Sequence, residues 1–278
     1  WTSSQWKCLG GQMDLQLRGK KAIVTGGSAG MGKAIARQLA REGCDVAIGA
    51  RTEARLRDAA REIAEETERT IVPLTVDTLE LESIQRFVRH AAEALGGIQI
   101  LANCAARVGG TIPDEMNSIT DEQIIKDFEE KFLGYYRCAR EAAPYMKQAR
   151  WGRIINLSGG AGRTPGTAIS TPARNIASVS LTKSLANTLG PHGINVNAIY
   201  PGTTLTEAVL VRHRAEAERQ GKALEVYLEE LRQRSPIRHL VTAEDVAHVV
   251  TFLCSPLSVS INGEAISVSG GMNADMHY

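Results

Sequence analysis

The stretch "KAIVTGGSAGMGKAIARQLA", residues 21–40, decides the fold class. It begins as a short apolar run typical of a buried strand and ends with apolar residues at helical spacing. Between them lies a glycine-rich turn, which lets amides at the helix N-terminus approach the pyrophosphate of a dinucleotide. Glycines alone would also suit an ordinary turn, but the flanking strand and helix favour a nucleotide site. The residues expected to contact the dinucleotide are Gly26, Ser28, Ala29, Gly30, Met31 and Gly32.

The rest of the chain repeats this alternation of apolar runs and helical patterns. The predicted strands lie at 21–26, 44–50, 70–76, 98–103, 152–158, 194–200 and 264–270. The predicted helices lie at 31–42, 53–68, 79–94, 121–148, 172–189 and 242–254. Near-continuous Val, Ile and Leu in the strands indicates burial on both faces. We therefore predict an α/β fold: a single-domain, Rossmann-type, doubly wound parallel sheet of about seven strands with helices on both faces.

Two segments stand apart from this alternation. Residues 1–12 lack the positive flank and apolar run of a signal peptide, and we interpret them as a tag or a disordered arm. The predicted domain then covers residues 13–278. Residues 205–235 are polar and carry charges of both signs, and we expect them to form a helical lid inserted between the sixth strand and the last helix.

Composition narrows the possible functions. The formal net charge is +1, so no overall field attracts the chain to nucleic acid or to a membrane surface. No segment approaches the roughly 20 apolar residues of a membrane span. The five cysteines are scattered without a CxxC pair, and no cluster of His, Cys, Asp and Glu has metal-ligand spacing. We expect a cytoplasmic protein with reduced thiols, no metal and a small-molecule substrate.

The end of the second predicted strand bears on which nucleotide binds. A carboxylate there would hold the ribose 2′-hydroxyl of NAD(H), whereas an arginine suits the 2′-phosphate of NADP(H). This chain has Ala50, Arg51 and Thr52 at that point and no acid. Arg51 offers a planar fork of donors and Thr52 a hydroxyl, so NADP(H) is preferred over NAD(H). The alternative is that Arg51 is a solvated arginine at the start of a helix.

Several motifs in order resemble the short-chain dehydrogenase/reductase family, and the resemblance covers residues 15–272. "TGGSAGMG" is similar to the family's glycine loop, "VDTLE" to its segment after the third strand and "NCAA" to its NNAG motif. "NAIYPGTTLTEA" and "INGEAISVSGG" resemble its Pro-Gly segment and its last strand. The resemblance implies further cofactor contacts at Asp77, Thr78, Asn103, Ala105, Pro201, Gly202, Thr204 and Thr206.

The family's chemistry rests on an asparagine, a serine, a tyrosine and a lysine, and the resemblance implies that all four are replaced here. The matching positions carry Lys131, Gly159, Thr171 and Asn175. Threonine has no ring to delocalise an anion, and Asn175 has no charge to lower the pKa of a neighbour. Losing a positioned general acid removes roughly 10²–10⁴ in rate.

The residues at these positions allow more than one interpretation. Ser170 or Thr171 followed by Pro172 is typical of a helix N-cap with proline at the first helical position, which would make this segment structural. Alternatively, Ser170 and Arg174 share a helix face at the Tyr–Arg spacing of halohydrin dehalogenases, although the tyrosine is missing. Tyr135 and Tyr136 are expected to pack on a helix face used for subunit contact.

Four side chains remain as weak catalytic candidates. Lys131 would stabilise an oxyanion, or act as a base if burial lowers its pKa, unless it is a surface lysine paired with Glu129 or Glu130. Ser158 lies one residue before the family's serine position, where the side chain of a strand turns to the other face. These candidates are Lys131, Ser158, Thr171 and Tyr200.

Three functions therefore stay open. The first is an NADP(H)-binding oxidoreductase with a non-standard active site, reducing an activated C=C or C=N bond. The second is a catalytically silent nucleotide-binding subunit or sensor, and the third is non-redox lyase or elimination chemistry in the same pocket. The resemblance also implies a homo-oligomer, a tetramer or a dimer, built through the helices at 121–148 and 172–189.

Overall fold

The structure is a computed structural model, and it describes residues 13–106, 115–162 and 167–272. Seven strands form one sheet in the order β3-β2-β1-β4-β5-β6-β7, and every neighbouring pair is parallel. The strands are β1 Lys21–Thr25, β2 Asp45–Ala50, β3 Ile71–Thr75, β4 Ile100–Asn103, β5 Gly152–Leu157, β6 Ile194–Pro201 and β7 Ala265–Val268. The predicted fold is confirmed, whereas the predicted arm at 1–12 lies outside the described residues.

Helices cover both faces of this sheet. They are α1 Gly30–Arg41, α2 Glu53–Thr67, α3 Leu81–Leu95, α4 Asp121–Phe128, α5 Gly134–Ala149, α6 Ser170–Leu189, α7 Glu207–Arg219, α8 Leu224–Arg234 and α9 Ala243–Cys254. Along β1, Ala22 and Val24 pack with α1, α2 and α9, while Ile23 packs with α3, α5 and α6. Alternate side chains of a strand point to opposite faces, so two covered faces require the continuous apolar runs seen in the sequence.

The prediction of one continuous helix at 121–148 is wrong, because the structure interrupts the helix in its middle. After α4, the backbone makes a five-residue π-helical turn, Glu129–Leu133, before α5 begins at Gly134. A π turn is a local widening that helical periodicity does not reveal, and such turns occur frequently at functional sites. Here the turn directs Glu130 and Lys131 into the protein, where they are 9% and 4% exposed.

The predicted N-cap of α6 is also wrong. The helix begins at Ser170, its cap residue is Ile169, and no side chain caps it. The Ser170 hydroxyl donates to a carboxylate oxygen of Asp127 at 2.6 Å. Pro172 is therefore the third residue of α6, a position whose amide has no intrahelical partner in any helix.

The insertion at 205–235 contains α7 and α8. Thr206 caps α7 by accepting a hydrogen bond from the Val209 amide at 3.4 Å. The rings of His213 and Tyr227 lie 5.6 Å apart and join the two helices. That this pair covers a substrate stays a prediction. No helix in the described ranges is both long enough and apolar enough to cross a membrane.

Candidate active site

The candidate site lies where the order of the strands reverses. β1 has β2 on one side and β4 on the other, and ligands of open α/β sheets bind at the carboxyl ends of strands at such a switch point. Thr25 at the end of β1 ties the two strands together: its hydroxyl oxygen accepts hydrogen bonds from the amides of Cys104 and Ala105, at 3.1 and 3.2 Å.

The glycine loop leaves no room for side chains at two of its glycines. A Cβ on Gly32 would lie 2.2 Å from the carbonyl oxygen of Gly26, and a Cβ on Gly26 would lie 3.0 Å from the Ala105 amide. Gly26 and Gly30 have φ angles of +71° and +53°, which favour glycine. Ala29 precedes α1 without a side-chain cap, so no side chain competes with an anion for its first amides. This cradle fits a dinucleotide diphosphate.

The segment after β6 lies against the glycine loop, as the resemblance implies. A Cβ on Gly30 would lie 3.4 Å from the methyl group of Thr206. The Gly202 amide donates to the Val268 oxygen at 3.0 Å, and the Thr204 hydroxyl donates to the Gly202 oxygen at 3.1 Å. The first bond joins this segment to β7 and the second is internal to it, while the approach of Thr206 to Gly30 places the segment at the same edge as the loop.

Other predicted cofactor residues have clear internal roles. The carboxylate of Asp77 accepts from the Leu79 amide at 3.0 Å and shapes the turn that precedes α3. Thr78 is buried, and a Cβ on Gly134 would lie 3.2 Å from it, so that glycine permits the close approach. The amide group of Asn103 donates to Asn156 at 2.9 Å and holds β4 against β5. Asn103 thus braces the sheet beneath the site.

Arg51 follows β2 and is exposed. In the described part of the chain it makes no ion pair, whereas Arg57 and Arg61 pair with Glu53 and Asp58 on α2. Thr52 precedes α2 without capping it through its side chain. Within the described ranges, neither side chain is held by an ion pair or a helix cap at the point where the sequence predicts the 2′-phosphate.

Lys131 is held inside the protein, so the interpretation as a surface lysine paired with Glu129 or Glu130 is wrong. Its Nζ donates to the backbone oxygen of Ser158 at 2.6 Å and to Oδ1 of Asn175 at 2.7 Å. Burial, followed by the nearby positive charge of Arg174, lowers the pKa of the Lys131 amine from 10.5 to about 7. The amine therefore exchanges a proton near neutral pH.

Three of the four positions implied by the resemblance meet around this amine. A Cβ on Gly159 would lie 2.6 Å from Nδ2 of Asn175, so the amide of Asn175 fills the space that a serine would need. The Ser158 hydroxyl donates to the backbone oxygen of Asn175 at 2.9 Å and is thereby turned towards α6. Lys131, Gly159 and Asn175 thus form one packed cluster, with Ser158 at its side.

The other two weak candidates lie elsewhere at this edge. Thr171 is half-buried in the first turn of α6, and Tyr200 is buried near the end of β6. Among the described residues, neither is a hydrogen-bond partner of Lys131. Tyr135 packs inside the protein, where its hydroxyl donates to the Leu157 oxygen at 2.9 Å, so its predicted place in a subunit contact is wrong. Tyr136 is 38% exposed, and its predicted role stays open.

Sequence reasoning missed Asp127. This carboxylate on α4 is buried and accepts a hydrogen bond from Ser170, and it lies 3.6 Å from the guanidinium of Arg174. Ser170 and Arg174 do share a helix face, but both contact Asp127. The available signal was the spacing of Asp127, four residues before Lys131 on a predicted helix that faces α6.

Comparison with known proteins identifies the family. A family model described as enoyl-(acyl carrier protein) reductase matches residues 26–273. The chain is 31% identical over 261 residues to a 3-oxoacyl-[acyl-carrier-protein] reductase of Aquifex aeolicus, covering 94% of this chain and 100% of the relative. It is 32% identical over 251 residues to a short-chain reductase of Streptomyces niveus, covering 90% of this chain and 92% of that protein.

A solved structure agrees with these sequence matches. L-sorbose reductase from Gluconobacter frateurii, complexed with NADPH and L-sorbose, superposes with a TM-score of 0.88 and is 29% identical. The superposition covers 95% of this chain and 100% of that chain. The fold, the glycine loop and these relatives together place the chain in the short-chain dehydrogenase/reductase family of oxidoreductases.

Proposed function

We propose that this protein is an NADP(H)-dependent reductase with a non-standard active site, acting on a polarised C=C or C=N bond of a small molecule. The observation that carries the proposal is the Lys131–Asn175–Gly159 cluster beside a sterically intact glycine cradle. The cradle supports nucleotide binding. The cluster supports chemistry that does not depend on a tyrosine.

The chain's own residues account for cofactor binding. Amides at the start of α1 would hold the diphosphate, since helix N-termini stabilise anions. Arg51, which follows β2 where no acid stands at positions 50–52 and makes no ion pair in the described ranges, would hold a 2′-phosphate, and this supports NADP(H) over NAD(H). When bound, NADPH supplies a hydride to an electrophilic carbon of the substrate.

The substrate class follows from the proton requirement. Reduction of an isolated ketone leaves a strongly basic alkoxide, which needs an acid at the moment of transfer. Thr171, an aliphatic alcohol, is a poor acid for that purpose. When hydride adds to a conjugated C=C bond, the electron pair moves to the conjugated oxygen, which is then a much weaker base than an alkoxide. An iminium is already positively charged, and hydride addition converts it into a neutral amine. A site whose phenol is replaced by Thr171 therefore suits these two bond types, which place a weaker demand on an acid than an isolated ketone does.

One observation favours a second candidate, a silent nucleotide-binding subunit or sensor. The amide of Asn175 occupies the volume beside Gly159 where a hydroxyl would otherwise stabilise a substrate oxygen. Such packing is compatible with a site that binds the cofactor and performs no chemistry. This candidate predicts tight NADPH binding without turnover.

The test measures NADPH oxidation with three matched cyclic substrates: a saturated ketone, its conjugated enone and the corresponding iminium. We expect turnover of the enone or the iminium and little or none of the saturated ketone. Turnover of the ketone alone would contradict the proposed substrate class. Binding of NADPH with no turnover of any of the three would support the silent candidate instead.

A further inference from the structure

The surroundings of the Lys131 amine are unusual in one respect. Both of its hydrogen-bond partners, the Ser158 oxygen and Oδ1 of Asn175, can only accept hydrogen bonds. An ammonium has three N–H groups, and within the described ranges two of them are used. A neutral amine has two N–H groups, and the same two acceptors satisfy both. The group can therefore gain and lose one proton without changing its internal hydrogen bonds.

Titratable groups on several neighbouring elements influence the protonation of the amine. Arg174 on α6 opposes its protonation, whereas Asp127 on α4 and Glu130 in the π turn favour it, and the Cys104 thiol after β4 contributes in the same sense as the acids. The Tyr135 ring, whose centroid is 6.0 Å from Nζ, offers a π face to the cation. The amine thus lies between charges that favour and oppose its protonation, and among the described residues its two hydrogen-bond acceptors are a backbone oxygen and an amide oxygen, both uncharged.

Compared with the family's pattern, an amine side chain and an amide side chain have changed places between two helices. The resemblance expects an amide on the helix that carries residue 131 and an amine at residue 175, and this chain has the amine at Lys131 and the amide at Asn175. The 2.7 Å contact between them shows that the two replacements meet at one point. The exchange keeps a titratable amine in the site although no tyrosine is present at position 171.

We propose that Lys131 is the proton donor of this site, oriented by the Ser158 backbone oxygen and the Asn175 amide. The proposal rests on the proposed function. As the electrophilic carbon of an enone gains hydride, the π electron pair moves to the conjugated oxygen. That oxygen bonds to a proton from Nζ, and the electrons of the broken N–H bond remain on nitrogen. Solvent then returns a proton to the amine.

The first test compares turnover of the enone, the substrate whose reduction takes up a proton at oxygen, by the wild type and three variants. Lys131→Met keeps the length of the side chain and removes the proton, and we expect kcat to fall by roughly 10²–10⁴ with little change in NADPH affinity. Lys131→Arg keeps a positive charge that is not released in proteins, and we expect a similar loss. Lys126→Met removes an exposed lysine from α4 and serves as the control with wild-type turnover.

The second test is independent of turnover. In cofactor-free protein labelled with ¹³C-lysine, we expect one ε-carbon signal, absent from Lys131→Met, to titrate with a midpoint of about 7. Turnover by Lys131→Met or Lys131→Arg at the wild-type rate would overturn the donor role and leave the proposed function standing. A Lys131 signal that titrates near the ordinary lysine range would overturn it as well. Absence of turnover in the wild type would overturn both proposals.

Discussion

Replacing Lys131 by Met should change how the stability of the protein depends on pH. In the folded state, burial lowers the pKa of this amine from 10.5 to about 7, while the unfolded chain keeps the ordinary value. Below about pH 7 both states bind the proton, and above about pH 10.5 neither does. In between, only the unfolded state holds it, so this group makes the free energy of unfolding rise with pH.

The size of the effect follows from the two pKa values. Each unit of difference corresponds to about 1.4 kcal/mol, so the full window contributes about 5 kcal/mol. Between about pH 7.5 and about pH 9.5, the free energy of unfolding of the wild type should rise by about 2.5 kcal/mol relative to Lys131→Met. Burial also raises the pKa values of Cys44 and Cys138, but both thiols are present in both proteins and their contribution cancels in the difference.

Urea unfolding of wild type and Lys131→Met at these two pH values measures the difference directly. The exposed residue Lys126 provides a control, since Lys126→Met should follow the wild type at both pH values. If the free energies of unfolding of Lys131→Met and the wild type change by the same amount between the two pH values, the argument is refuted. Such a result would mean that the amine is either accessible to solvent or close to an acidic group.

Three further predictions concern the cradle and the cluster. Gly32→Ala should weaken NADPH binding and lower the free energy of unfolding by about 1–3 kcal/mol, because its Cβ would collide with backbone. Thermal unfolding with and without NADPH measures both effects. Gly159→Ala should destabilise by less than Gly32→Ala, because its Cβ meets a side-chain amide and not backbone, and should be rescued by Asn175→Ala, whereas additive losses would place the clash elsewhere. Arg51→Ala should weaken NADPH binding roughly tenfold or more and leave NADH binding unchanged, with Arg61→Ala as the control; equal losses for both nucleotides would contradict a 2′-phosphate contact.

Much of the architecture could be predicted because local patterns determine it. The apolar runs gave all seven strands to within two residues at each end, and the glycine loop gave the start of α1. A parallel sheet covered by helices on both faces requires strands that are apolar on both sides, so each strand is visible in the sequence as a continuous apolar run.

The details of the site could not be predicted in this way, since they depend on tertiary contacts. The π turn at Glu129–Leu133 lies within a continuous helical pattern of sequence, and it contains the buried Lys131. Ser170 has the side chain of a good N-cap, but the buried carboxylate of Asp127 competes for its hydroxyl. The fit of Asn175 into the space beside Gly159 is a long-range match between two segments, and neither segment signals it alone.

The most direct test of the central claim uses NADPH carrying two deuterium atoms at C4 of its nicotinamide ring, so that either hydrogen that can be transferred is labelled. After incubation with the enone and iminium substrates, mass spectrometry of the product shows whether hydride has moved. We expect one product to carry one deuterium atom, with label transfer lost in Gly32→Ala. An unlabelled product, or NADPH that binds tightly and keeps its label with both substrates, would contradict a reductase that works without the tyrosine.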